Sequence, residues 1–159
     1  MKLCRFDEDR LGVVIGDTIH DITDIQTEIR AGVRYDMRGD AVIAALPEWR
    51  ERMEAAAAPA PTRKVSDVKL LPPIARPSKT MAAPINYAAH VAEMQAQPHV
   101  TGEDKGPTRP SGIQNQGIFL KSNSAVVGAS EGVAIRFPDR RNDHEVEFVI
   151  VIGKQGSRI

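Results

Sequence analysis

Residues 2–22 of the chain read KLCRFDEDRLGVVIGDTIHDI. Two apolar runs, residues 2–6 and 12–15, are separated by a polar turn, which is the pattern of a β-hairpin. A third extended piece at residues 18–22 follows directly. These features predict a small antiparallel sheet at the start of the chain.

Helical signals follow the sheet. Ile25 and Ile29 recur at helical spacing, with Thr23 or Asp24 as the expected N-cap. Residues 40–46 and 47–58 are also predicted to be helical, and Pro47 suits a first-turn position. The sequence therefore predicts an α+β fold class that begins with a small α+β domain.

A second domain is predicted to follow an Ala/Pro linker at residues 55–61, which places the first domain at 1–64 and the second at 65–159. Residues 97–117 are polar and rich in Gly and Pro, which is typical of a functional lid or a disordered stretch. The regular elements expected in the second domain are an extended piece at 68–71, a helix at 86–95 and strands at 117–120, 133–137 and 144–152.

Composition limits the function classes. Lys plus Arg and Asp plus Glu both number 21 in the 159 residues, so no net field favours nucleic acid or a membrane surface. No apolar run approaches the ~20 residues of a spanning helix. The single cysteine, Cys4, cannot form an internal disulfide. A cytoplasmic protein without nucleic-acid or membrane partners is expected.

The stretch HEVEFVIVI at 144–152 places Glu145 and Glu147 on one face of the predicted strand, with His144 on the other face. Two like charges on one face favour either an exposed edge strand or a cation site. Carboxylate oxygens suit hard cations, so the candidates are Mg²⁺, Mn²⁺ and Ca²⁺.

His90 and Glu93 are spaced i and i+3, so they share one face of the predicted helix. The carboxylate can orient the imidazole, and the free ring nitrogen can then accept a proton from water. The alternative is a structural pair on a helix surface.

Three motifs stand in order along the chain: Asn86-Tyr87-x-x-His90-x-x-Glu93, Phe119-Leu120-Lys121-Ser122-x-Ser124, and His144-Glu145-Val146-Glu147-Phe148 running into Val151-Ile152-Gly153. Their order resembles that of the fumarylacetoacetate hydrolase family, which the chain resembles weakly over 1–64 and well over 78–154. The chain departs from the family pattern at two positions, where it has Pro84 and Ala89.

The resemblance implies that residues 65–159 form the first part of a β-rich, mixed-sheet catalytic domain. It implies Mg²⁺ or Mn²⁺ on Glu145 and Glu147, with a third ligand, an aspartate, beyond Ile159. A truncated domain or a second chain that supplies the rest is therefore expected, and so is a homodimer.

The resemblance also assigns roles outside the metal ligands. His90 and Glu93 would be the catalytic dyad, Lys121 and Tyr87 would bind substrate, and residues 97–117 would form the lid.

The implied activity is metal-dependent hydrolysis of a carbon–carbon bond in small 2,4-dioxo acids of the acylpyruvate or fumarylacetoacetate type. One alternative keeps the fold but acts as an oxo-acid decarboxylase, an isomerase or a 2-oxo-enoate hydratase. The other is a non-catalytic, truncated binding or assembly module.

Overall fold

The computed structural model of the chain describes residues 1–33, 39–84, 87–89, 92, 113 and 117–158. Two compact units divide the chain, Met1–Ser78 together with Val126–Ile159, and Lys79–Ala125. The helices and antiparallel sheets confirm the α+β class. Among the described residues, none of the helices combines the length and apolar character needed to cross a membrane.

The first unit is built on a four-stranded antiparallel sheet in the order β1-β2-β3-β4. Asp7 and Asp9 adopt positive φ angles in the turn between the first two strands, which confirms the predicted hairpin. The third strand is also confirmed, and a fourth strand pairs with it. The strands are β1 (Leu3–Phe6), β2 (Arg10–Ile15), β3 (Thr18–Asp21) and β4 (Thr62–Lys64).

Two helices, α1 (Thr23–Ala31) and α2 (Ala41–Ala57), cover one face of this sheet. Their apolar faces and the sheet form one core, whose buried members are Leu11, Val13, Ile22, Ile25, Ile29, Val42, Met53 and Ala57. The spacing of Ile25 and Ile29 thus predicted α1 correctly.

The predicted N-cap of α1 is wrong, because Thr23 is already helical and Ile22 precedes it without a capping side chain. The Thr23 hydroxyl has another use: it accepts from the Leu11 N–H at 3.2 Å and donates to the Asp21 carboxylate at 2.5 Å. Thr23 therefore joins α1 to β2 and β3.

The first-turn position predicted for Pro47 is also wrong, since α2 runs continuously through it. The true cap is Asp40, whose Oδ1 accepts from Val42 N and Ile43 N at 3.0 and 3.3 Å. Residues 55–57, predicted as the start of a linker, form the last turn of α2, and Ala57 is buried there.

The second unit contains a two-stranded antiparallel sheet of β5 (Thr80–Ala82) and β6 (Phe119–Lys121). The strand predicted at 117–120 is confirmed over its second half. In the predicted helix at 86–95 only Ala88, Ala89 and Ala92 are described as helical. Apart from Ile113 and Gly117, the predicted lid at 97–117 lies outside the described residues.

The strands predicted at 133–137 and 144–152 are wrong. Both stretches are described, both are largely exposed, and neither forms a strand. A strand is held by backbone hydrogen bonds to a neighbour, and alternating apolar residues do not supply one. No strand of the described chain pairs with either stretch.

Two carboxylates of the sheet turns predict acid sensitivity. Burial raises the pKa of Asp21, but hydrogen bonds from Thr23 and Arg10 outweigh it and lower that pKa. Burial likewise raises the pKa of Asp9, and bonds from Arg30 and Arg5 lower it further than burial raises it. A lowered folded-state pKa means stability that is present above the unfolded value and lost as the pH falls through the folded one.

We therefore expect the free energy of unfolding to fall as the pH drops below about 4, where unfolded aspartates begin to protonate. Urea unfolding between about pH 6 and pH 2 measures this. Asp21→Asn should be less stable near neutral pH and should show a shallower loss in acid. Parallel pH profiles for the two proteins would contradict the assignment.

Candidate functional site

Glu145 and Glu147 lie in the unit formed by Met1–Ser78 and Val126–Ile159, on a stretch without strand pairing. Both glutamates are exposed. The apolar side chains around them are exposed as well, with Val146 at 93% and Ile150 at 73%. Solvent therefore reaches both carboxylates.

A compact turn precedes this stretch. Arg140 N donates to Phe137 O at 3.2 Å, and the Asn142 side-chain amide donates to the same carbonyl at 3.1 Å. Arg141 pairs with Asp143 at 2.7 Å. The Arg140 guanidinium lies 4.6 Å from the Phe137 ring centroid, so the side chains of both Arg140 and Arg141 have local partners.

The chemistry of the donors fits a hard cation, because two carboxylates two residues apart provide only oxygen ligands. In the part of the chain that the structure describes, no three His, Cys, Asp or Glu side chains gather closely enough to hold a metal. Glu145 and Glu147 would hold such an ion together with water and donors outside the described residues.

The residues of the predicted dyad, His90 and Glu93, lie outside the described residues. Of the predicted substrate-binding residues, Tyr87 is 46% exposed. Lys121 is exposed at the end of β6, directly opposite Thr80 of β5, and its ammonium lies 5.9 Å from the Phe119 ring centroid. Tyr87 and Lys121 both belong to the unit Lys79–Ala125.

Residues with hydroxyl groups lie opposite Lys121 in the strand register and directly after it in sequence. Thr80 Oγ1 donates to Asn123 Oδ1 at 2.8 Å, and the hydroxyls of Ser122 and Ser124 lie 2.7 Å apart. The sequence did not predict β5, because Thr80 is the only β-branched residue of the three in that strand. The sequence signal for the hydroxyl groups was the Ser122-x-Ser124 pattern, which directly follows Lys121.

Two other reactive side chains have structural roles. The His20 ring Nδ1 lies 2.7 Å from the Ala57 carbonyl oxygen, so it must donate, and it ties β3 to the end of α2. Burial, with the nearby Asp21 charge, raises the pKa of the Cys4 thiol. A protonated thiol is a poor nucleophile.

Comparison with known proteins identifies the family. The model of the fumarylacetoacetate (FAA) hydrolase C-terminal domain matches residues 79–159, just over half of the chain. The chain belongs to the fumarylacetoacetate hydrolase family.

Two curated relatives show how much of a family member the chain covers. Maleylpyruvate hydrolase of Aquipseudomonas alcaligenes is 43% identical over the whole chain, which spans 55% of that protein. Mitochondrial oxaloacetate tautomerase Fahd2a of Rattus norvegicus is 32% identical over 66% of the chain and 29% of its own length. The chain thus spans about half or less of the curated relatives that it matches.

A crystal structure of maleylpyruvate hydrolase from Sphingobium sp. SYK-6, in complex with manganese(II) ion and pyruvate, is also similar. It is 35% identical with a TM-score of 0.55, over 80% of this chain and 39% of that one.

The exposure of residues 144–152 predicts how their amides exchange with solvent. Backbone amides outside strands and helices exchange quickly, whereas those of the β1–β4 sheet are protected by hydrogen bonds. Hydrogen-exchange mass spectrometry should show labelling of 144–152 at the earliest times and slow labelling of β2. Slow exchange at 144–152 would mean that this stretch is paired in solution.

Proposed function

We propose that the chain carries the metal-binding and water-activating segments of a hydrolase that cleaves a carbon–carbon bond in small 2,4-dioxo acids of the acylpyruvate type. The observation that carries the proposal is the 43% identity with maleylpyruvate hydrolase along the entire chain. The manganese(II) ion and pyruvate in the Sphingobium enzyme support the same chemistry.

The reaction consumes one water. The water oxygen bonds to C4 of the dioxo acid, and the C3–C4 bond then breaks. Its electron pair stays on the three-carbon fragment, which takes up a proton and leaves as pyruvate, while the C4 fragment leaves as a carboxylic acid. Pyruvate is thus the common product of all acylpyruvates.

His90 would remove the proton from water, and Glu93 would hold the imidazole in the tautomer that leaves one ring nitrogen free. Glu145 and Glu147 would hold Mn²⁺ or Mg²⁺. A bound divalent ion supplies Lewis-acid stabilisation for the negative charge that develops on the oxo acid.

Lys121 is suited to bind a substrate carboxylate, because its side chain is exposed and carries a positive charge, and the hydroxyl-bearing residues Ser122 and Ser124 follow it in sequence. Tyr87, with a half-exposed ring, would contribute a further contact.

A tautomerase acting on oxaloacetate is the second candidate, because the rat oxaloacetate tautomerase is similar over two thirds of the chain. The two activities differ in their products. Hydrolysis of an acylpyruvate releases pyruvate. Tautomerisation of oxaloacetate interconverts its keto and enol forms, breaks no carbon–carbon bond and is followed by the absorbance of the enol.

The deciding experiment gives the full-length protein that carries this chain acylpyruvates and oxaloacetate in separate assays, with Mn²⁺ and with Mg²⁺, and follows pyruvate release and enol absorbance. Pyruvate release from acylpyruvates is the expected result. Enol conversion of oxaloacetate without pyruvate release from acylpyruvates would replace the hydrolase with the tautomerase, and inactivity on both substrates would contradict both.

His90→Ala should lower turnover by about 100-fold or more, as expected for loss of a general base, and should leave Mn²⁺ binding intact. His144→Ala is the matched control, because His144 is exposed and has no assigned role. Equal turnover for the His90 variant and the control would remove His90 from the mechanism.

Glu145→Gln and Glu147→Gln should each weaken Mn²⁺ binding, since each removes one charged oxygen ligand from a set of two. Isothermal titration calorimetry measures the effect, and Asp139→Asn tests for a general charge effect on the same exposed segment. Mn²⁺ binding that survives both Glu variants would place the ion elsewhere.

A further inference from the structure

Residues 69–71 are bonded to two different parts of the chain. On one side, Leu71 N donates to Arg5 O at 2.9 Å and Asp7 N donates to Lys69 O at 2.8 Å. Phe6 and Leu70 form an antiparallel bridge between these bonds. Residues 69–71 therefore extend the sheet beyond the outer edge of β1.

The opposite side of residues 69–71 forms hydrogen bonds with Ser130. The Leu70 N–H donates to Ser130 Oγ at 2.9 Å, and the Ser130 N–H donates to Leu70 O at 3.4 Å. This alternation follows from extended backbone, in which successive residues direct their polar groups to opposite sides. We call the packing of residues 69–71 against residues 128–131 the docking contact.

Gly128 allows the two segments to approach. It is buried, and a Cβ at this position would lie 2.2 Å from Leu70 O and 2.6 Å from Leu71 Cα. Both are backbone atoms and cannot rotate away. A Cβ at Gly132, four residues on, would meet nothing within 4 Å. The docking contact thus requires glycine at position 128 but not at position 132.

Glu131 closes the turn of the docking contact. Its carboxylate accepts from Gly128 N at 2.7 Å and pairs with Lys69 at 3.2 Å. The Gly128 bond, followed by the Lys69 bond, lowers the pKa of Glu131. The ion pair is half exposed and contributes little energy itself, so the backbone bonds define the contact.

A second close approach to the N-terminal elements occurs at Gly153, which follows the two glutamates in sequence. Pro47 has no N–H to offer the Ile43 carbonyl in α2. Gly153 lies beside this carbonyl, and a Cβ on Gly153 would be 3.5 Å from the Ile43 oxygen. Residues 132–152, which include Glu145 and Glu147, therefore lie between two close approaches to the N-terminal elements, one at residues 128–131 and one at Gly153.

We propose that the N-terminal sheet positions the Glu145–Glu147 segment through the docking contact, which makes Gly128 and Ser130 positioning residues for the metal ligands. Holding the ends of a segment removes part of its conformational freedom before an ion binds, and a preorganised site binds more tightly. The inference rests on the proposed function, because it requires that these glutamates bind metal.

The test uses Mn²⁺ alone as the probe, on the 159-residue chain. Paramagnetic broadening of the backbone amide signals of residues 145–147 reports both the place and the affinity of binding. Amide exchange at Leu70 reports the docking contact, and exchange at Val13 in β2 reports the fold of the sheet.

Gly128→Ala and Ser130→Ala should speed exchange at Leu70 by about tenfold or more, because each loosens the docking contact. Both should weaken Mn²⁺ binding by about tenfold, at the low end of the effect of groups that orient metal ligands. Gly132→Ala should match the unsubstituted protein because a Cβ there meets nothing within 4 Å, and Ser130→Thr should match it because threonine keeps the hydroxyl.

Faster exchange at Leu70 with unchanged Mn²⁺ affinity would overturn the positioning role and leave the proposed function standing. If Gly128→Ala lost the slow exchange at Val13, Ser130→Ala would decide instead. Absence of broadening at residues 145–147 in the unsubstituted protein would overturn the metal site and the positioning role together.

Discussion

The outer edge of β1 has unpaired backbone groups that need a partner, and residues 69–71 supply it. The far side of these residues then needs a partner of its own, and Ser130 meets that need through Leu70. Two steps of edge pairing thus bring residue 130 to a sheet formed by the first 64 residues. This is why Val126–Ile159 belongs to the same compact unit as Met1–Ser78, although 47 residues separate them in sequence.

The same need for a pairing partner explains why residues 144–152 do not form a strand. Their side chains are as apolar as those of β2, but β2 has neighbours on both sides and is buried. Apolar surface of this extent is seldom left exposed on a monomer. The maleylpyruvate hydrolase that aligns with the whole chain is longer by about 45% of its own length. The pattern at 144–152 therefore predicts capacity for pairing, and the described residues contain no strand that uses it.

Local signals predicted the elements whose partners are close in sequence. The hairpin follows from the turn between two apolar runs, and α1 follows from Ile25 and Ile29. Contacts distant in sequence left no such signal. Nothing near Gly128 in sequence indicates that it faces the carbonyl of Leu70. Likewise, Pro47 removes one helical hydrogen bond, yet α2 continues through it to Met53 and Ala57, which pack in the core. Of the candidate site, the sequence indicated Glu145, Glu147 and Lys121, but not the loop that precedes the glutamates.

The close approaches on either side of residues 132–152 are possible because certain atoms are absent, and they do not depend on apolar side chains. Gly128 and Gly153 have no Cβ, and Pro47 has no N–H. Such contacts bury little apolar surface, so their free energy is small and an ion can shift them. Coupling between binding and conformation is reciprocal: if the docking contact strengthens Mn²⁺ binding, Mn²⁺ must strengthen the docking contact by the same free energy. The N-terminal sheet would then respond to occupancy of the metal site while contributing no ligand to it.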